Sequence, residues 1–140
     1  MRSLGLDIGD RRIGLALSDP EGILASPFTI LTYEDEATAI EAIVGIIRQQ
    51  QVQQVVVGLP RSMDGSLGKQ AEKTRAFAQK LSSRTEVPVV FRDERLTTVS
   101  AKRLMQAAST AKTRRKGRDD AIAAALILQG YLDEGLNQNK

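Results

Sequence analysis

The sequence contains no cysteine, no histidine and no tryptophan. Without cysteine there are no disulfides and no thiolate zinc sites. Without histidine there is no Ser-His-Asp triad, no imidazole general base and no His-ligated transition metal. Any catalysis must use carboxylates, Lys, Tyr, Ser/Thr or a bound hard cation. Aromatic residues make up only 4% of the chain, so base stacking is a poor candidate for a main grip on nucleic acid. Backbone and shape reading fit this composition better. No apolar run approaches the roughly 20 residues a membrane-spanning helix needs. The opening MRSLGLDIG enters a strand without a signal-peptide pattern, so a cytoplasmic protein with no membrane partner is expected.

What is present suits a soluble globular fold. The 140 residues with 41% hydrophobic content are enough for one core, so a single domain over 1–140 is expected. Net charge is only +3, but it is unevenly placed. Arg92 to Arg118 holds nine basic residues against Asp93 and Glu94, which makes that segment +7 and leaves −4 for the rest. A local basic, Arg-rich stretch points to a polyanionic partner.

The chain reads as strands first, then strand–helix alternation. Leu4–Ile8 and Ile13–Ser18 alternate around the turn Gly9–Arg12 and predict an antiparallel hairpin. Ile23–Thr32 predicts a third strand, which Pro27 assigns to an edge. Glu34–Gln50 places Ile40, Ile43, Val44 and Ile47 at helical spacing. Gln53–Gly58 reads as a buried strand, ended by Gly58-Leu59-Pro60. After the turn-forming Arg61–Ser66, Leu67–Ser82 predicts a second helix. Val87–Phe91 predicts a fifth strand. Thr97 or Thr98 is placed to cap a helix through Ala108, and Ser109–Gly117 reads as a basic connection. Asp119–Asp133 predicts a last helix, apolar nearly all round and therefore buried. The order implies an α/β fold: a mixed five-stranded sheet of three antiparallel meander strands and two parallel strands, flanked by helices.

Three carboxylates stand out against this framework. Asp7 occupies the interior of the first strand, a poor place for an unpaired acid. Gly5 and Gly9 flank it on its own face, and Gly14 and Ala16 lie on the next strand. That face therefore reads as left empty, with room for a metal ion or a phosphate. Glu94 follows the fifth strand, where α/β sheets gather their sites. Asp119 and Asp120 begin the last helix, where an acid also complements the helix dipole. Adjacent helical residues point about 100° apart, so one of the two faces the sheet. Two or three carboxylates can hold Mg²⁺, completed by water and substrate phosphate. Paired ions of that kind clamp the attacking and leaving oxygens in phosphodiester cleavage.

Four blocks, LDIGDRRIGLALSD, VVVGLPRSMDGSLG, FRDERLTT and KGRDDAIAAALILQGYL, resemble in order and spacing those of the YqgF family. Its members are bacterial RNase H-like proteins described as Holliday junction resolvases or pre-16S rRNA nucleases. The resemblance covers nearly the whole chain. It implies an RNase H-like fold, an Mg²⁺ (or Mn²⁺) nuclease, and a role in maturing the 5′ end of 16S rRNA. The implied catalytic and metal residues are Asp7, Glu94 and Asp120, the last because it opens the D-x-x-A-A pattern at Asp120–Ala124. The family pattern has an apolar residue where this chain has Asp119.

Arg11 and Arg12 at the hairpin tip, Arg95 and Thr97 in the third block, and Lys112, Arg114, Arg115 and Lys116 are candidates to hold the nucleic-acid backbone. The expected partners are pre-rRNA or ribosomal precursor particles, met as a monomer or weak homodimer. A Holliday junction resolvase acting on DNA is the alternative nuclease, and two other readings compete. One is a non-catalytic RNA-binding assembly factor. The other is the nucleotide-binding half of an actin-like or sugar-kinase fold, whose phosphate loop also begins D-x-G; that fold needs two domains.

Overall fold

The computed structural model describes residues 1–59, 68–93 and 118–138. Strands β1 (Ser3–Ile8), β2 (Arg12–Ser18) and β3 (Ala25–Thr32) precede helix α1 (Glu36–Gln49). Strand β4 (Gln54–Leu59), helix α2 (Lys69–Ser82), strand β5 (Val89–Asp93) and helix α3 (Arg118–Gln138) follow. The five strands form one sheet in the order β3-β2-β1-β4-β5. β1 pairs antiparallel with β2, and β2 with β3. β1–β4 and β4–β5 are parallel. The mixed sheet expected from the element order is the one observed, and β3, which carries Pro27, is an edge strand.

The two faces of the sheet differ in kind. On one, Leu4, Leu6, Ile8, Ile13, Leu15, Val55 and Val57 pack against α1 and α2. The helices contribute Ile40, Ile43, Val44 and Ile47, then Phe77, Ala78 and Leu81. Phe77 is fully buried and meets Tyr33 with ring centroids 6.2 Å apart. On the other face the sheet offers Gly5, Gly14, Ala16 and Val56, and α3 packs there through Ala124, Leu128 and Leu132. The alternation that puts large residues on one side leaves small ones on the other.

Element boundaries moved where a specific bond intervenes. β3 begins at Ala25 rather than Ile23, because the Asp19 carboxylate accepts the N–H groups of Ile23 (2.7 Å) and Leu24 (3.0 Å) and holds them in a turn. Those two bonds keep the Asp19 carboxyl below its usual pKa. α1 begins at Glu36 rather than Glu34, because Asp35 caps it by accepting from the Thr38 N–H at 3.0 Å. β5 runs through Asp93, two residues past the predicted end, pairing Gly58 with Arg92 and Leu59 with Asp93. The predicted helix to Ala108 and the Ser109–Gly117 connection lie outside the described residues. Among the described residues no helix is long and apolar enough to cross a membrane.

Polar bonds fix how α3 lies on the sheet. Gln129 accepts from Ala25 N–H and donates to Ile23 C=O, both at 2.9 Å. Gln54 at the start of β4 donates to the Tyr131 hydroxyl at 3.0 Å. Arg92 on β5 is only 6% exposed. Its Nε and Nη2 lie 2.9 and 2.8 Å from Glu134 Oε1. Its guanidinium covers Gly130, where a Cβ would fall 2.6 Å from Arg92 Cζ. The absence of a side chain at 130 thus makes room for a buried cation, and Glu134 balances it. Removing one partner of a charged hydrogen bond leaves the other desolvated. Glu134→Ala is therefore expected to destabilise the protein by about 1–2 kcal/mol. Adding Arg92→Met should recover part of that loss in denaturant melts, since the double variant no longer buries the guanidinium.

Candidate active site

The site begins with a row of residues across the sheet. Asp7 on β1 is directly opposite Gly14 on β2. On the other side, β1 and β4 run parallel with Leu6 beside Val57, which brings Asp7 level with Gly58. Gly58 in turn pairs with Arg92. Asp7, Gly14, Gly58 and Arg92 all belong to the face that α3 covers, because their chain neighbours Leu6, Ile8, Ile13, Leu15 and Val57 fill the opposite core. Asp7 is partly buried and carries a polar interaction of its own.

The space beside Asp7 is not vacant as the glycine pattern suggested. A Cβ on Gly14 would overlap the carbonyl carbon and oxygen of Asp120. A Cβ on Gly5 would come 2.8 Å from Leu128 Cβ and 2.9 Å from the Ala124 carbonyl. Both glycines are there so that the backbone of α3 can lie directly on the hairpin. Gly9 belongs instead to the turn, where its N–H donates to Arg12 C=O at 2.9 Å. The docked helix sets the backbone of Asp120 over Gly14, the residue paired with Asp7. This close approach brings the Asp120 backbone next to the residue paired with Asp7.

The Asp120 side chain also meets the hairpin. Arg12 Nε lies 3.4 Å from Asp120 Oδ2, with the two side chains 41% and 32% exposed. Asp120 thus reaches β2, while the Asp119 side chain and the third acid, Glu94, lie outside the described residues. So do Arg95, Thr97, Lys112, Arg114, Arg115 and Lys116, together with the loop Arg61–Ser66. Among the described residues no three acids come together. Arg11 is exposed on the turn.

Tyr33 supports the hairpin tip and was not singled out in the sequence. Its hydroxyl donates to Gly9 C=O at 2.8 Å, and its N–H donates to Arg11 C=O at 2.9 Å. Burial, then the negative charges of Glu36 and Asp10, push its phenol pKa up, so it stays protonated as a donor. Gln70 on α2 donates to Ile8 C=O at 3.3 Å from the same side. The turn carrying Arg11 and Arg12 is thereby fixed to β3, α2 and the end of β1. Arg92 was also missed in this role. It was counted with the basic stretch, although its place two residues after the inward-facing Val90 marks it as an inward residue.

A family model described as "RuvX: Holliday junction resolvase" matches residues 1–134. The chain belongs to the RuvX family. This is the family, also called YqgF, that the four sequence blocks pointed to. A protein of Moorella thermoacetica is 48% identical over 139 residues, 99% of each chain, and is named "Putative pre-16S rRNA nuclease". A protein of Halothermothrix orenii with the same name is 45% identical over 95% of each chain. Among solved structures, Thermus thermophilus RuvC in complex with a Holliday junction substrate superposes with a TM-score of 0.67 at 14% identity, covering 96% of each chain. The fowlpox virus resolvase in complex with Holliday junction DNA gives 0.59 at 13% identity, over 97% of this chain and 99% of that one. The RuvX chain described here therefore has the RuvC-like RNase H fold.

Gly14 offers the most direct test of how the site is assembled. In Gly14→Ala the obstacle is helix backbone, which cannot swing aside as a flexible side chain would. Overpacking of this kind costs about 1–3 kcal/mol. The expected result is that loss in a urea titration, together with increased amide exchange in the first turns of α3, where Asp120 sits.

Proposed function

We propose that this protein is a divalent-metal-dependent nuclease that hydrolyses phosphodiester bonds in structured nucleic acid, with the 5′ end of the 16S rRNA precursor as its substrate. The observation that carries the reading is the pairing of Asp7 with Gly14 beneath the backbone of Asp120, in a chain whose close relatives bear the name of such a nuclease. The donor set fits a hard cation. It consists of carboxylate oxygens, in a chain without the histidine or cysteine that softer metals prefer. Asp7 and Asp120 would hold Mg²⁺ or Mn²⁺, with Glu94 as the third acid. When bound, such an ion polarises the phosphoryl oxygen and lowers the pKa of water.

The remaining steps belong to the protein. Asp7 presents its carboxylate from a strand that pairs with β2 at Asp7 itself and with β4 up to Leu6, so its backbone does not need to reorganise. Arg11 and Arg12 carry positive charge to the edge of the site from a turn that Tyr33 pins, and there they would hold the nucleic-acid backbone. Arg95, Thr97 and the basic residues Lys112, Arg114, Arg115 and Lys116 would extend that grip. The protein would act in the cytoplasm, in ribosome biogenesis, as a single nuclease domain and as a monomer or weak dimer. Junction DNA is a second candidate substrate, favoured by the description of the matching family.

Cleavage of a 5′-extended 16S precursor and of a four-way DNA junction, each with Mg²⁺ or Mn²⁺, separates these substrates. Wild type is expected to process the precursor. Asp7→Asn and Asp120→Asn should each lose about 100-fold or more, the several kcal/mol that a metal site supplies to the transition state. Chelation by EDTA should abolish the reaction. Equal processing by wild type and Asp7→Asn would refute the metal-site account, and cleavage of the junction alone would move the substrate to DNA.

A further inference from the structure

We propose that Arg12 is an internal counter-ion of the metal site, which occupies the Asp120 carboxylate in the metal-free protein and transfers to a substrate phosphate when a cation takes that carboxylate. The inference rests on the reading of Asp120 as a metal ligand.

Its basis is a contrast between a fixed backbone and a loosely held side chain. The Arg12 backbone is bonded on two sides: its carbonyl accepts from Gly9, and the residue pairs with Thr32 of β3. Tyr33 secures the same turn through Gly9 and Arg11. Only the Arg12 side chain has freedom to move. Its Nε lies 3.4 Å from Asp120 Oδ2, long for a charge-assisted hydrogen bond, and both side chains are about a third or more exposed. Ion pairs in such settings contribute little, so this one is easily exchanged. A divalent cation on Asp120 would compete for the same oxygen and repel the guanidinium. The planar guanidinium, displaced by a few ångströms on a fixed turn, matches a phosphate geometry.

Two consequences follow from linkage. Arg12 opposes metal binding, and metal binding makes Arg12 available to nucleic acid, so the two ligands assist each other. Both are read in binding measurements on the full chain, without reference to turnover. Mn²⁺ affinity is measured by titration calorimetry. Affinity for a fluorescent RNA hairpin is measured by anisotropy with and without Mn²⁺, with RNA integrity checked on a gel after each titration. Arg12→Gln is expected to bind Mn²⁺ about two- to fivefold more tightly than wild type, the factor that corresponds to a weak ion pair. Its RNA affinity without metal should fall only by what one lost charge removes, and the further gain that Mn²⁺ gives wild type should shrink. Arg12→Lys, which keeps the charge but not the planar fork, should restore wild-type Mn²⁺ affinity and only part of the RNA gain.

Thermal melts of the variants guard against a folding effect. Mn²⁺ affinity that is unchanged or weaker in Arg12→Gln overturns the exchange while leaving the metal site intact. Wild-type Mn²⁺ affinity in Asp120→Asn overturns the assignment of Asp120 as a ligand, and the exchange with it.

Discussion

The structure depends on one close approach, that of the α3 backbone to Gly14 on the β1–β2 hairpin. A helix normally stands off a sheet by the depth of two side-chain layers. Here the side chains on the sheet side are missing at Gly5 and Gly14, and the helix carbonyls of Ala124 and Asp120 take their place. This places the first turn of α3 beside Asp7, with no intervening layer. A half-buried acid in a strand and an acid at a helix start are ordinary features separately. The missing Cβ atoms bring the backbone of one close to the strand that carries the other, so the packing of the fold also shapes the candidate site.

The asymmetry of the sheet follows from the same constraint. The face toward α1 and α2 is filled by Leu, Ile and Val side chains and closed by Phe77, as a packed core requires. The face toward α3 gives up apolar volume at Gly5, Gly14, Ala16 and Gly58. It compensates with backbone proximity and with specific polar bonds at Gln54, Gln129 and Arg92. One face supplies most of the hydrophobic driving force. The other trades some of it for orientation, and the candidate site lies on that second face.

The strands, the described helices and the edge position of β3 were legible because each follows a local rule. Alternation places Leu4, Leu6 and Ile8 together, helical spacing places Ile40, Ile43, Val44 and Ile47 together, and Pro27 belongs at an edge. The unusual strand position of Asp7 was legible too. The meaning of its glycines was not. Glycines along one strand look like an empty space until the helix that fills it is known, and that helix lies more than a hundred residues away in the chain. Arg92 and Tyr33 were missed for the same reason: their roles depend on Gly130, Glu134 and Gly9, partners that no local pattern names. Boundaries slipped where one side chain captured backbone donors, as Asp19 does at Ile23 and Leu24.

Two ion pairs that α3 makes among the described residues show how rigidity is distributed along it. Toward its C-terminal end, Arg92 is buried and bonded to Glu134 at 2.8–2.9 Å, with Gln129 and Tyr131 tied to the sheet nearby. Breaking that pair takes a close carboxylate from a buried guanidinium, so the arrangement resists change. At its N-terminal end, Arg12 and Asp120 meet at 3.4 Å and remain partly in water. Separating them costs little, because solvent replaces what each loses. The helix is thus anchored by its buried half and holds its acidic end against the hairpin mainly through backbone packing on Gly14. Charge can be rearranged at that end without disturbing the fold. The proposed exchange of a cation and a polyanion at that end would need this combination: a backbone that does not move and a counter-ion that can.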